Sequence, residues 1–147
     1  MQKGNTMKTA IRSTISIILL LSVLLSLAAC GNEYEGTLWE NATYTEDKSF
    51  GEGAKTFKIT VEAGEKSVVF TVKTDKATVG EALQEHGLLE GEQGAFGLYV
   101  KKVNGITADF DIDQTYWAFY INGEYAMTGV DTTNIDESAE YKLLRTK

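Results

Sequence analysis

Proline is absent from the 147-residue chain, so nothing in it imposes a kink or an X–Pro cis bond. Cysteine occurs once, at Cys30, which excludes an intramolecular disulfide. Histidine also occurs once, at His86. With no second thiol, no histidine partner and no G-x-S-x-G step, the sequence offers no apparatus for nucleophilic catalysis, and the reading is of a protein that is not an enzyme. Basic residues are scarce, 14 Lys and Arg against 21 Asp and Glu for a net charge of −7. An acidic surface of this kind argues against nucleic acid and against adhesion to anionic headgroups. Long apolar runs are lacking too. The longest, Ile15 to Leu27, is interrupted by Ser16, Ser22 and Ser26 and falls short of the about 20 residues that span a bilayer.

That run lies behind Lys3, Lys8 and Arg12 and ahead of the small-residue step Leu27-Ala28-Ala29-Cys30. The arrangement reads as a secretory signal over residues 1–29, with Met7 as an alternative start. Its tail resembles the lipobox of bacterial lipoproteins, with Cys30 as the thiol that takes the lipid. Such an anchor is stable because each buried methylene contributes about 0.8 kcal/mol. The expectation is a chain attached through Cys30 to the extracytoplasmic face of a bacterial membrane. Without residues 1–29 it carries 11 basic and 21 acidic residues, a formal charge of −10.

From Gly31 to Ala54 the chain is polar, acidic and glycine-dotted, without a period of 2 or 3.6. Residues 30–54 accordingly read as a tether, although Trp39, Tyr44 and Phe50 leave open an added edge strand. The remainder, residues 55–147, is one domain. Thr56 to Glu62 and Lys66 to Lys73 alternate as a hairpin. Thr78 and Glu81 form a capping box for a helix carrying Val79, Ala82 and Leu83 on one face, with Gly87 just past its end. His86 then sits near the helix end as a surface or capping residue. Further strands cover Leu98 to Val103, Tyr116 to Ile121, Glu124 to Met127 and Glu140 to Leu144, and Asn104-Gly105 and Asn122-Gly123 are hairpin signals. The fold class expected is α+β, a mostly antiparallel sheet with one helix on one face, similar to a β-grasp arrangement.

Two patterns invite a cofactor and fail on inspection. Asp109, Asp111 and Asp113 alternate like calcium ligands, but Gln114 stands where an EF-hand needs glycine and Tyr120 where it needs a bidentate glutamate. The better reading is a solvated turn, with no metal. Gly91, Gly94 and Gly97 have no following helix or Lys-Thr step, so they read as a flexible lead-in to the Leu98 strand and not as a phosphate loop.

The stretch TYWAFYINGEYAMTGV, Thr115 to Val130, is the most distinctive. Alternation puts Trp117, Phe119 and Ile121 on an apolar face under the helix, and Tyr116, Ala118 and Tyr120 on the other. Paired tyrosines offer contact area with little entropy to lose, so a ligand or partner surface and simple sheet decoration are both open here. Together with TVGEAL at Thr78 to Leu83 and YVKKVNGI at Tyr99 to Ile106, the stretch resembles a family of bacterial lipoprotein domains of unknown function. That family is similar to the C-terminal domain of the cobalamin carriers transcobalamin and intrinsic factor. The resemblance covers Lys55 to Lys147. It implies that Tyr116-Trp117 correspond to a strand, and Gly129-Val130 to a loop, that cap one side of a corrinoid. The large helical domain of those carriers has no counterpart here, and Asn122 to Thr128 departs from them.

The resulting expectation is a lipid-anchored binding module presenting Tyr116, Trp117, Tyr120, Tyr125, Met127, Gly129 and Val130 to a corrinoid or other amphipathic ligand beside a membrane transporter. Its alternative is a surface module for protein interaction or adhesion that binds no small molecule.

Overall fold

The computed structural model describes residues 38–147. The expected signal segment, Cys30 and the first part of the expected tether lie outside the described residues. No helix among the described residues is long and apolar enough to cross a membrane.

The strands are β1 (Lys48–Phe50), β2 (Lys55–Ala63), β3 (Lys66–Thr74), β4 (Leu89–Gly94), β5 (Gly97–Val103), β6 (Ile106–Thr107), β7 (Tyr116–Ile121), β8 (Glu124–Tyr125) and β9 (Glu140–Thr146). Two helices join them, α1 (Val79–Glu85) and the single turn α2 (Phe110–Asp113). The α+β, mostly sheet expectation is met, but the strands form two sheets, ordered β1-β3-β2-β9-β7-β8 and β4-β5-β6. The larger is mixed, because β1 runs parallel to β3 and β2 parallel to β9. Hairpin signals report only local antiparallel pairs, so the sequence showed neither parallel pairing.

The core follows from alternation. Phe57, Ile59, Val61 and Ala63 of β2 are buried, as are Val68, Phe70 and Val72 of β3. Register lines these up across the sheet. One row runs Phe70, Ile59, Tyr141 and Ile121, and the next Val68, Val61, Leu143 and Phe119. Directly opposed side chains share a face, so Trp117 and Phe119 lie on the core face, as alternation predicts. Phe119 stacks on Tyr141 with ring centroids 6.0 Å apart. Helix α1 begins with the expected capping box, Thr78 accepting from the Glu81 N–H while Glu81 accepts from the Thr78 N–H. It closes with a Schellman pair, Leu88 N–H to Leu83 C=O and Gly87 N–H to Gln84 C=O. Val79, Ala82 and Leu83 join the core.

Several sequence expectations are corrected. The tether reading fails for the described part of residues 30–54. Trp39 is buried with its indole N–H donating to the Ala63 carbonyl at 2.9 Å, and Phe50 and Tyr44 pack edge-on against Phe70. That segment is held by single aromatic anchors, which leave no periodic signature. Gly91 and Gly94 belong to β4, paired along β5. Leu89 is its only buried residue, so no alternation marked it. Strand β8 stops at Tyr125, short of the expected Met127. The Asp109 side chain caps α2 by accepting from the Asp111 N–H, so this segment is a helical turn. His86 is the C-cap of α1, but its side chain is only 19% exposed and its ring lies against Phe50.

Arg145 of β9 ties the two sheets together. Its Nε donates to the Thr107 carbonyl at 2.9 Å and its Nη2 to Asp113 Oδ2 at 2.6 Å. Partial burial of the Asp113 carboxyl opposes ionisation, but the Thr115 hydroxyl and N–H and the Arg145 guanidinium outweigh it and hold the group below its ordinary range. A depressed folded-state pKa stabilises above the unfolded value of about 3.9, and that contribution is lost as pH falls through the folded value. Asp113→Asn is expected to cost about 1–3 kcal/mol at pH 7, with the gap to the unaltered protein closing as pH falls below about 3.9. Urea unfolding of both proteins at pH 7 and pH 3 measures this. A gap that persists undiminished at pH 3 would show that the charge is not the cause.

Candidate functional site

Strand β7 is paired with β9 along its whole length, but on its other side β8 meets it only at Tyr120 and Ile121. Strand β5 is paired with β4 along its length apart from a bulge at Lys101, but β6 meets its other side only at Lys102 and Val103. Each strand therefore has a stretch of free edge, 116–118 on β7 and 98–100 on β5. Between them lies a slot of about 410 Å³.

The identity of the lining residues shows how the slot runs. Leu98, Tyr99 and Val100 all line it, as do the neighbours Tyr116 and Trp117. Successive side chains on a strand point to opposite faces, so consecutive residues can share a cavity only if it follows the strand's edge. Phe119 and Leu143, partners in register, line it from the core face. The segment from Tyr125 to Val130 completes the wall. Tyr99, Tyr125 and Met127 are exposed, 42%, 57% and 94%, and so set three large apolar groups around the slot.

The loop that closes the slot is anchored by backbone bonds. The Val130 carbonyl accepts from the Gly80 N–H at 2.8 Å, and the Thr133 carbonyl from Val79 at 3.0 Å. The Gly129 carbonyl accepts from the Thr132 and Thr133 hydroxyls. Val130 itself is buried in the core cluster. Asp131 fastens the loop to β5, its Oδ2 accepting from the Leu98 N–H at 3.1 Å. It fits there because a Cβ on Gly129 would stand 2.6 Å, and one on Gly97 3.1 Å, from Asp131 Oδ1.

Of the seven residues expected at a ligand site, the structure brings Tyr116, Trp117, Tyr125, Met127, Gly129 and Val130 around this slot. Tyr120 is not among the lining residues. It packs edge-on against Tyr125 at 5.6 Å, with Lys142 Nζ 5.1 Å from its ring centroid. The slot is thus shaped by Trp117 and Phe119, which alternation assigned to core alone, more than by the Tyr116/Tyr120 face. Sequence reasoning missed Leu98, Tyr99, Val100, Phe119, Ala126 and Leu143 as lining. Nothing local marks them, since each becomes a wall only when the two free edges are brought together.

Two buried polar atoms have no partner among the described residues, Trp117 Nε1 at the wall and Asp131 Oδ1 in the loop beside it. Such atoms cost about 1–3 kcal/mol each when unpaired. Among the described residues no three His, Cys, Asp or Glu side chains converge to hold a metal.

Residues 76–140 match the model of a family described as a domain of unknown function (DUF4430). The chain is similar to a crystal structure from Ruminococcus gnavus, described as that of a candidate metal binding protein. The identity is 32%, over 64% of this chain and 98% of that one, with a TM-score of 0.60. It is also similar to haptocorrin crystallised with Cbi, at 16% identity and a TM-score of 0.49, over 67% of this chain. The match spans about a quarter of haptocorrin, 26% of its chain. No curated protein matches the chain.

Proposed function

The chain belongs to the family described as a domain of unknown function, DUF4430, and from that premise we propose that it is a non-enzymatic binding module whose slot between β5 and β7 holds an amphipathic small ligand. The observation that carries this reading is the convergence of Tyr116, Trp117, Tyr125 and Met127 with Leu98 to Val100 on one cavity of about 410 Å³. That volume is within the roughly 300–1,000 Å³ of ligand sites, and its apolar lining with few polar groups matches their chemistry.

A corrinoid is the ligand to try first, supported by the sequence resemblance of Tyr116-Trp117 and Gly129-Val130 to the cobalamin carriers. The slot is open on one side of a small domain, so it would cover part of such a ligand and hold it weakly alone. A second surface, that of a membrane transporter, would complete the site. The lipobox-like Leu27 to Cys30 step supports a lipid anchor at Cys30 that keeps the module at the extracytoplasmic face.

The test is thermal unfolding of the protein with and without millimolar cobalamin and cobinamide. Ligand at 100 times its Kd adds about 2.7 kcal/mol, which raises the Tm of a domain this size by roughly 10 °C or more. Tyr116→Ala combined with Tyr125→Ala is expected to abolish the rise. Tyr120→Ala, outside the slot, is expected to keep it. No rise with either corrinoid removes them as ligands of the isolated protein, and a rise lost equally in all variants removes the slot as their site.

A further inference from the structure

Sulfur is confined to four residues of the chain, Met1, Met7, Cys30 and Met127. Met127 is the only one of them among the described residues, and it stands at the slot, 94% exposed. A thioether in that position is open to any oxidant in the surrounding water. The backbone around it is held on both sides, because the Ala126 N–H donates to the Phe119 carbonyl at 2.9 Å and the Gly129 carbonyl accepts from the Thr132 and Thr133 hydroxyls at 3.1 and 2.8 Å. The sulfur can therefore react while the loop beneath it stays in place.

The hydroxyls nearest to Met127 in the chain are already in use. Thr128 and Thr133 share a hydrogen bond of 2.8 Å, and Thr132 and Thr133 both donate to the Gly129 carbonyl. An oxygen added to the sulfur, an acceptor with no free threonine donor beside it, would keep its water. A hydrated group on this wall opposes an apolar ligand surface laid over it, since covering a polar group without a donor is costly. The fold has little at stake, because Met127 is not part of the buried core cluster.

We propose that Met127 is a reversible oxidation site through which a peroxide lowers the slot's hold on an amphipathic ligand. The sulfur lone pair attacks one oxygen of hydrogen peroxide and the O–O bond breaks. That oxygen stays on sulfur as a sulfoxide, and the other leaves as hydroxide and takes the proton of the first to become water. Sulfur loses two electrons and the peroxide gains them. A dithiol acting through a methionine sulfoxide reductase reverses the step, restoring the thioether and releasing the oxygen as water while its thiols become a disulfide. A flexible apolar side chain thus becomes polar at one position of the wall. This rests on the reading that the slot is the binding site, and it names the residue through which that site is regulated.

The experiment treats the protein with dilute hydrogen peroxide, removes the peroxide, and reads Met127 by fragmentation mass spectrometry and the slot by two probes, cobinamide and the apolar dye Nile red. Expected is a gain of one oxygen at Met127, with the Tm of the probe-free protein kept within about 2–4 °C, as for a surface change. Binding of whichever probe the slot takes is expected to weaken at least about fivefold, through a polar group left without a donor. Methionine sulfoxide reductase with dithiothreitol is expected to restore it. In Met127→Leu, peroxide is expected to leave probe binding where it stood before treatment. A Met127 that stays unoxidised overturns the proposal, and so does an equal peroxide-induced loss in Met127→Leu, which would put the sensitive group elsewhere. A larger fall in Tm also overturns it, because the effect is then on the fold. If a probe binds equally well before and after oxidation of Met127, the inference fails while the slot remains a ligand site. If neither probe binds the untreated protein, both readings fail.

Discussion

Asn104→Ala is expected to destabilise the protein by roughly 3–5 kcal/mol, a large share of the about 5–15 kcal/mol that holds a domain together. Asn104 is 1% exposed, and its side chain reads the backbone of Tyr44 as a strand would. Its Nδ2 donates to the Tyr44 carbonyl at 2.7 Å and its Oδ1 accepts from the Tyr44 N–H at 2.9 Å. Alanine leaves both groups unpaired in a partly buried setting, at about 1–3 kcal/mol each. The residue also has φ +50, where a non-glycine side chain without local hydrogen bonding costs about 1–2 kcal/mol. The backbone bonds Thr43 N–H to Asn104 C=O and Asn104 N–H to Leu88 C=O remain, so the chain is expected to fold, with the segment around Tyr44 loosened. Urea unfolding measures the total. Asn104→Gly separates its parts, because glycine relieves the backbone cost but loses both side-chain bonds. A loss under 1 kcal/mol for alanine would mean that the Tyr44 groups find water and that the segment before β1 contributes little.

Gly80→Ala is the second, and here two effects oppose each other. Helix propensity alone favours alanine by about 1 kcal/mol. Against it, a Cβ at Gly80 would stand 2.7 Å from Asp131 Cα and 2.9 Å from Asp131 N, backbone atoms that cannot swing aside as a side chain can. The helix and the 129–133 loop must separate, which strains or breaks the Gly80 N–H to Val130 C=O bond of 2.8 Å. Overpacking of this kind costs about 1–3 kcal/mol and the lost bond about 1 more, so the expected net is a destabilisation of about 2–3 kcal/mol. Because this loop closes the slot, affinity for any occupant is expected to fall by more than stability alone would cause. Denaturant unfolding together with hydrogen exchange of the residue 80 amide tests the account. A stabilised variant with an unchanged amide would show that the loop yields freely.

Residue spacing shows why some of this was legible. The capping box joins Thr78 to Glu81, the helix stop involves Leu83 to Leu88, and the Asn122-Gly123 turn has both residues at positive φ, 52° and 82°. Each is closed within about five residues, so the residue types needed for it stand side by side in the chain. The alternation of Phe57, Ile59 and Val61, and of Trp117 and Phe119, was legible for a similar reason, since a strand repeats every second residue whatever it later packs against.

The remaining features depend on contacts between distant parts of the chain. Asn104 meets Tyr44 across 60 positions, Trp39 meets Ala63 across 24, and Asp131 meets Leu98 across 33. Parallel pairing of β2 with β9 has no turn to announce it, and β4 has no buried face to give it a period. The sequence by itself determined the helix, the hairpins, the apolar face of β7 and the aromatic residues available for a site. Only the tertiary structure decided that β5 and β7 leave free edges facing each other. An edge is defined by the strand that is missing beside it, and no residue records that absence. It also decided that the slot runs along those edges, with Tyr120 left outside its lining.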